Sequence, residues 1–164
     1  MNEKLKKQND KELDQMKYLS VKYGEKELAV FGQFAYDIQD GEKMSNKEIA
    51  HHLHKSNFID EKGLPVIPNL KFLEKQDLNG PEMHELYKFL KRNNSQLFVP
   101  RYGMACRIYE YHTKFLCDKY GEVKKFYGPE AELAKIEADL KELIAVQYKE
   151  QIYIDLIEPR DMFS

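Results

Sequence analysis

The chain is poor in the residues that would crosslink it or anchor it in a membrane. It has two cysteines and no tryptophan among 164 residues. Two cysteines without a secretory signal do not predict a disulfide framework, and a reducing intracellular compartment is expected. The apolar runs are a few residues long, far short of the roughly 18 that a membrane-spanning helix needs. The sequence does not distinguish a mitochondrial from a cytoplasmic location.

An excess of charge of either sign is also missing. The formal net charge is −2, with 33% of the residues charged. This balance does not favour binding to nucleic acid or to a membrane surface. Lys4, Lys6, Lys7 and Lys11 alternate with acidic residues and Asn, which predicts a solvated segment. The 42% of hydrophobic residues suffices for the core of one domain.

The first half of the chain predicts two capped helices around a strand. Asn9 and Glu12 have the spacing of a capping box, and Gly24 is expected to end the helix that follows. Residues 28–34 predict a strand. Ser45 and Glu48 form a second capping pair, and a loop is expected over residues 58–69.

The second half predicts a helix, a hairpin and a closing helix. Asn79, Gly80 and Pro81 are typical of a helix start, with Pro in the first turn. Residues 113–118 and 122–127 flank a short turn and predict a hairpin. The closing helix is marked by an apolar stripe at helical spacing, made of Leu133, Ile136, Leu140, Leu143 and Ile144.

Residues 72–143 resemble the glutathione peroxidase family. The run Phe-Leu-Glu-Lys-Gln-Asp-Leu-Asn-Gly-Pro at 72–81 resembles the family's Phe-Glu-Lys-Val-Asp-Val-Asn-Gly-Pro stretch. Residues 84–90 resemble its His-Pro-Leu-Tyr-Lys-Phe-Leu helix, and residues 114–118 its Lys-Phe-Leu-Val-Asp hairpin. A weaker, collinear match extends upstream. The resemblance implies an α/β, thioredoxin-like sheet flanked by helices.

The resemblance also implies a central first strand, for which the chain has no room before residue 7. Residues 151–157 are β-prone and could fill this gap, or another protein could donate a strand. The expected organisation is a tail at 1–8 and a thioredoxin-like domain at 9–148. An extension at 149–164 is then expected to form a strand or to dock on a partner.

Carried over position by position, the family's active site falls on residues that cannot reduce a peroxide. The peroxidatic residue falls near Lys7, the family's Gln on Ala35, and its Trp and Asn on Glu110 and Tyr111. The reaction needs a thiolate or selenolate with N–H donors close by. A segment encoded upstream would not restore the internal positions. The resemblance with these replacements therefore predicts a pseudoenzyme of the family, not an enzyme.

The two cysteines are the remaining candidates for a reactive site, and each also has a purely structural explanation. Cys117 occupies a Val-like strand position, where a free thiol is expected to act as a small buried hydrophobe. Cys106 lies between Arg101 and Arg107, a basic setting that could lower its pKa. These two are the redox candidates. His112 is expected to point away from Cys117, on the opposite face of the strand.

No cofactor or metal is expected. His51 and His54 are one helical turn apart, a spacing that can hold a metal, but no further ligand is evident beside them. A solvated helix face is the expectation for this pair.

The candidate contact residues for a protein partner are mostly tyrosines, a residue type favoured at interfaces. They are Tyr102, Tyr109, Tyr111 and Tyr120, together with Ile152, Ile154 and Leu156 of the extension.

Three hypotheses for function follow. The leading one is a catalytically inactive, glutathione-peroxidase-like subunit with a structural or accessory role in a larger intracellular assembly. The alternative is a residual thiol-dependent peroxidase or redox sensor in the response to oxidative stress. The third is a module that binds a thiol or another small molecule without catalysis.

Overall fold

The protein has a mixed α/β fold, as expected from its sequence. A computed structural model describes residues 3–35, 44–94, 96–99, 104–105, 107–108 and 111–157. The helices in these ranges are α1 (Glu3–Tyr23), α2 (Asn46–Lys55), α3 (Glu85–Arg92) and α4 (Leu133–Ile157). The strands are β1 (Val30–Ala35), β2 (Leu70–Gln76), β3 (Phe98–Val99), β4 (Met104–Ala105), β5 (Lys114–Cys117) and β6 (Val123–Tyr127).

The strands pair two by two. β1 runs parallel to β2, whereas β3–β4 and β5–β6 are antiparallel pairs. Within the described ranges these three pairs share no hydrogen-bonded edge. An isolated pair of strands is marginally stable by itself, so each sheet here depends on packing against helices and loops.

The first apolar cluster covers one face of the β1–β2 sheet. Its buried members come from α1, α2, the following loop and β2, and they are Leu13, Ile49, Leu53, Phe58 and Leu70. β1 approaches this cluster closely at Gly32, where an added Cβ would lie 2.8 Å from the Phe72 ring. A larger residue at this position would push the ring out of the core.

A second apolar cluster lies where β2 ends and β5 begins. Leu78 and Ile108 are its buried members, and Tyr87, Tyr111 and Phe115 pack against them. Phe115 meets Tyr87 edge to face, with ring centroids 6.0 Å apart. This cluster places the turn before β5 against α3.

Asn79 fixes the chain on the N-terminal side of that turn. Its side chain is buried and binds the backbone of Ile108 at both groups: Nδ2 donates to the carbonyl at 2.9 Å, and Oδ1 accepts from the N–H at 2.6 Å. Lys91, which is only 1% exposed, donates to the same Oδ1 at 2.9 Å. Asn79 therefore substitutes for a strand partner at Ile108.

Helices α1 and α4 are joined by polar contacts around Glu137. Tyr18, Lys22 and Tyr23 of α1 all donate hydrogen bonds to its carboxylate. Burial, followed by the bond to Glu137, raises the pKa of Tyr23 to about 12. The three donors in turn hold the pKa of Glu137 below its usual value.

Several predicted elements are confirmed. The capping box of Ser45 and Glu48 opens α2, with the side chain of each residue bound to the backbone N–H of the other. Gly24, at φ 71°, follows the last residue of α1. The hairpin and the closing helix are also present, as β5–β6 and α4.

Three predicted boundaries are wrong. α1 begins at Glu3, so Asn9 and Glu12 lie inside the helix and do not cap it. Pro81 precedes α3 in a turn, and His84 is the N-cap, with Nδ1 accepting from the Leu86 N–H. The strand expected over residues 151–157 is the last part of helix α4.

The missing first strand can be judged within the described ranges, whereas the domain boundaries stay a prediction. No strand precedes β1 in residues 3–29, because α1 occupies most of that stretch. The boundaries expected after residues 8 and 148 fall inside α1 and α4.

Of the helices that the structure describes, none has the length and apolar character needed to cross a membrane.

Replacing Asn79 tests its structural role. We expect Asn79→Ala to cost about 2–3 kcal/mol of unfolding free energy, because it removes partners from buried polar groups. Asn93→Ala is the matched control, since this exposed amide only donates to the Phe89 carbonyl at the end of α3, and we expect a loss below about 1 kcal/mol. Urea denaturation measures both. Equal losses would contradict the role given to Asn79.

Candidate functional site

The main group of interacting polar side chains between α1 and the start of β5 is named here the α1–β5 cluster. It consists of Gln8, Asn9 and Glu12 on α1 together with His112 and Lys114. Its neighbours along the chain belong to the two apolar clusters: Leu13 to the first, and Tyr111 and Phe115 to the second. The α1–β5 cluster is therefore the polar seam between them.

An ion pair is the centre of this seam. Lys114 Nζ lies 2.8 Å from Glu12 Oε2, and the two side chains are only 20% and 9% exposed. Glu12 Oε2 accepts no well-aligned hydrogen bond, so the Lys114–Glu12 contact is an ion pair only. Gln8 Nε2 donates to the other carboxylate oxygen at 3.1 Å. Both charges are partly or fully buried, and removal of either one would leave the other unpaired, which is energetically costly.

His112 joins the seam through both its ring and its backbone. Its Nε2 lies 2.6 Å from Asn9 Oδ1, and its carbonyl accepts from Lys114 Nζ at 2.8 Å. Its backbone is left-handed, with φ 61°, an unusual conformation for a residue other than Gly. Burial lowers the pKa of His112, although the Glu12 charge opposes this effect and the Lys114 charge adds only a smaller lowering. A neutral ring at pH 7 therefore donates Nε2–H to Asn9.

Two of the four positions that the resemblance assigned to the active site, Lys7 and Tyr111, are adjacent in sequence to members of the α1–β5 cluster. Lys7 is exposed on α1, one residue before Gln8, and Tyr111 packs in the second apolar cluster, one residue before His112. Ala35 is the last residue of β1, paired with Gln76. Glu110 lies outside the described residues.

Of the two cysteines, only Cys117 lies in the part of the chain that the structure describes. Cys117 is a half-buried free thiol at the end of β5, and burial followed by the Asp118 charge raises its pKa. It is therefore a protonated thiol at neutral pH, as expected for a small hydrophobe in a strand. Cys106 falls outside the described residues.

Of the candidate contact residues, Tyr120 is the most clearly accessible. It lies at the tip of the β5–β6 hairpin and is 70% exposed. Its neighbour Gly121 packs against the Phe89 ring of α3, which is itself exposed. Of the other candidate contact residues, Tyr102 and Tyr109 lie outside the described residues. The side chains of Ile152, Ile154 and Leu156 are not described.

A shallow groove of about 470 Å³ runs beside α1. It is lined by charged and polar residues of both signs, with Tyr18 and Leu133 as the larger apolar contributors. No group of three His, Cys, Asp or Glu side chains in the described ranges is placed to hold a metal ion. His51 and His54 are exposed, and His52 lies 4.0 Å from Asp10.

The α1–β5 cluster was not predicted from the sequence. Glu12 was expected in a helix cap, Lys114 in the hairpin, and His112 on the strand face opposite Cys117. The one signal in the sequence is an acidic residue beside Leu13 on the apolar face of a helix. Such a residue needs a partner if that face is buried.

The chain is similar to proteins that reduce hydroperoxides. It is 41% identical over 71 residues to a hydroperoxy fatty acid reductase of Synechocystis sp., a match that covers 43% of this chain and 42% of that protein. A glutathione peroxidase homolog of Halalkalibacterium halodurans is 27% identical over 131 residues, covering 80% of this chain and 74% of that protein. A probable phospholipid hydroperoxide glutathione peroxidase of Mesembryanthemum crystallinum is 38% identical over 71 residues, covering 43% and 38%.

These relatives agree with the resemblance to the glutathione peroxidase family, and the α/β class expected from that resemblance is confirmed. The chain spans less than half the length of the first relative. A solved structure of GPX1 from T. cruzi is 22% identical, covering 73% of this chain and 85% of that one, with a TM-score of 0.40 that is too low to support a conclusion. No family model matches the chain.

The expectation that the chain is not an enzyme is wrong on this comparison. The relatives are named as peroxidases or as a hydroperoxide reductase, and nothing in them indicates a loss of activity. The error came from judging activity on four aligned positions, of which two have side chains that the structure does not describe.

Two lysines on neighbouring strands give a direct test of the seam. We expect Lys114→Ala to cost about 3 kcal/mol of unfolding free energy, because it leaves the buried Glu12 carboxylate unpaired. Lys124→Ala on β6 removes an exposed lysine that pairs with Asp118 and Glu122, and we expect a loss below about 1 kcal/mol. Both are measured by urea denaturation at pH 7. Similar losses for the two variants would mean that the seam ion pair is no stronger than a surface one.

Proposed function

We propose that the chain takes part in thiol-dependent reduction of hydroperoxides, as a residual peroxidase or a redox sensor in the response to oxidative stress. The observation that carries this proposal is the 41% identity to a hydroperoxy fatty acid reductase over 71 residues. Fatty acid hydroperoxides are accordingly the substrate class to test first. Because the match spans less than half of that protein, the activity is a proposal for this chain.

The reaction requires a thiolate. Its sulfur attacks one oxygen of the peroxide, the O–O bond breaks, and the second oxygen leaves as an alkoxide that takes up a proton to become an alcohol. The sulfur is left as a sulfenic acid. Two molecules of a reducing thiol then return it to the thiol, releasing water and forming a disulfide.

Of the two cysteines, we propose Cys106 as the reacting thiol. Cys117 is disfavoured because burial and Asp118 raise its pKa and so reduce the thiolate fraction. Cys106 is followed directly by Arg107, whose side chain is exposed, and Arg101 lies five residues before it. A basic neighbourhood favours the thiolate.

Single cysteine variants separate the two thiols. We expect the protein to consume glutathione in the presence of a fatty acid hydroperoxide, and Cys106→Ser to reduce the rate to background. Cys117→Ser should keep the rate of the unmodified protein, because its protonated thiol does not react. The assay follows loss of hydroperoxide and of free thiol together.

The opposite dependence, with loss only in Cys117→Ser, would overturn the assignment to Cys106. A protein with no turnover and no sulfenic acid after peroxide treatment would overturn the proposed function itself.

A second proposal concerns partners, and it is favoured by the open edge of β1. The Val30 N–H donates to the Asn69 carbonyl on the β2 side. Because backbone groups alternate along a strand, those of Phe31 and Gln33 point to the other edge, where the structure describes no paired strand. Phe31 is 53% exposed, whereas the Gln33 amide donates to the Glu74 carbonyl of β2.

We therefore propose that another protein of a larger mitochondrial or cytoplasmic assembly adds a strand to this edge, with Tyr120 as a further contact. Backbone groups of an added strand would pair with those of Phe31 and Gln33. An unpaired strand edge is otherwise a site for aggregation. In this proposal the chain has an accessory role in the assembly beside its redox chemistry.

Proline at the edge of β1 tests strand addition. Phe31→Pro removes an N–H that faces away from β2, so the β1–β2 pairing should survive while an added strand is blocked. Phe31→Ala is the control, since it removes the same ring but keeps the N–H. Native-size separation of tagged proteins from their own cells should show a large complex for Phe31→Ala and a small species for Phe31→Pro. If unmodified protein and both variants all run near 19.5 kDa, the partner proposal is wrong.

A further inference from the structure

The chain contains one Asn-Gly pair, at residues 79 and 80. An asparagine that precedes glycine is the most prone to deamidation, because glycine has no Cβ to hinder the approach of its own backbone nitrogen to the asparagine Cγ. In the folded protein Gly80 is exposed, and a Cβ added to it would meet nothing within 4 Å. The surroundings of Gly80 therefore present no obstacle to this reaction.

Deamidation at this pair needs water as its only co-reactant. The backbone nitrogen of Gly80 gives up its proton and attacks Cγ of Asn79. The bond from Cγ to the side-chain nitrogen breaks, and that nitrogen leaves with the proton as ammonia. Water then opens the resulting succinimide ring at one of its two carbonyl groups, which yields aspartate or isoaspartate. No group is oxidised or reduced.

The side chain of Asn79 is held away from this reaction. It is only 4% exposed, and its amide contacts a backbone segment 29 residues further along the chain. Nδ2 donates to the Ile108 carbonyl at 2.9 Å, while Oδ1 accepts from the Ile108 N–H at 2.6 Å and from Lys91 Nζ at 2.9 Å. The amide must leave these partners before its carbon can meet the Gly80 nitrogen. The closed fold thus suppresses deamidation.

The segment that holds Asn79 is anchored by a small apolar cluster. Ile108 is 3% exposed, and Leu78 is the other buried member of this second cluster. The first cluster has five buried members. Parts of a protein with few buried apolar contacts open at a lower free energy than the whole fold does. We therefore expect the segment at Ile108 to open locally, while the first cluster stays closed.

We propose that Asn79 is a deamidation site that the closed fold suppresses and that local opening of the segment at Ile108 makes reactive. An aspartate here has no N–H to donate to the Ile108 carbonyl, and an isoaspartate also lengthens the backbone by one carbon. Either product weakens the hold on Ile108, and water alone does not restore the amide. Neither the proposed reduction of hydroperoxides nor the strand partner is needed for this modification.

Two isoleucines distinguish local opening from unfolding of the whole chain. Peptide mapping by mass spectrometry measures conversion of Asn79 at mildly alkaline pH, and the folded protein should convert more slowly than the same protein in urea. Ile108→Ala keeps the backbone groups that hold Asn79 but truncates the buried side chain, so conversion should be roughly tenfold faster or more. Ile49→Ala is the matched control in the first cluster, and it should stay within about twofold of the unmodified protein. In urea all three should convert equally fast.

Equal acceleration by both substitutions would refute the proposal, because conversion would then require the whole fold to open. Acceleration by neither would refute it as well, and so would equal rates for the folded protein and for the protein in urea. Amide protection of β2 shows whether each variant is folded. If Ile108→Ala lowers this protection, Ile108→Val and Ile49→Val replace the pair, and the same order with a smaller difference is expected.

The effect of the modification is tested separately with Asn79→Asp, which carries the side chain of one product. Its carboxylate still accepts from the Ile108 N–H but no longer donates to the Ile108 carbonyl. We expect faster hydrogen exchange of the Ile108 amide than in the unmodified protein, with the exchange of β2 unchanged. Equal exchange of the Ile108 amide in the two proteins would show that conversion does not loosen the segment, contrary to the proposal.

Discussion

The arrangement of this protein depends on one constraint: the β1–β2 and β5–β6 sheets share no hydrogen-bonded edge in the part of the chain that the structure describes. In a continuous sheet, backbone ladders would hold the two halves of the molecule together. Here that task falls to side chains. The Lys114–Glu12 ion pair and the contacts around Glu137 join α1 to the C-terminal part of the chain, and the Asn79 side chain holds the segment at Ile108. Side-chain links of this kind depend on charge state, whereas backbone ladders do not.

The same constraint explains why polar residues are found inside the fold. Glu12, Asn79 and Lys91 are all buried, and each has a polar partner within hydrogen-bonding or ion-pair distance. A buried ion pair adds little to stability compared with an apolar replacement, but removal of one member is costly. Such groups therefore specify which surfaces meet. In this chain they align α1 with β5 and α3 with the segment at Ile108.

The sequence predicts this fold well wherever a local pattern decides the structure. Ser45 and Glu48 are three residues apart, and the capping box that they form needs nothing else. The error at residues 151–157 has the opposite origin: their β-branched residues favour a strand only weakly, and an existing helix extends at little cost from the preceding turns of α4. The seam could not be predicted because Asn9 and His112 are 103 residues apart. A single sequence carries no information on pairs at that distance.

The two cysteines illustrate the limits of position-by-position comparison. Cys117 was identified from its strand position as an inert thiol, and its raised pKa agrees with that interpretation. The aligned catalytic positions gave the wrong answer on whether the chain is an enzyme, since a family's chemistry can be assessed only when the surrounding groups are known. Glu110 and Cys106 are the residues on which that assessment depends, and both lie outside the described ranges.

The contacts between α1 and α4 have a consequence for how the chain folds as it is synthesised. Tyr23 binds Glu137 across 114 residues, and Tyr148 binds Glu27 across 121 residues. At a synthesis rate of about 5–20 residues per second, roughly 6–24 s pass before the residues on α4 that bind α1 and Glu27 have been made. During that interval α1 can pack against the elements made before α4, but the side chains that bind Glu137 lack their partner. The nascent chain is therefore open to chaperones along the surface that α4 later covers.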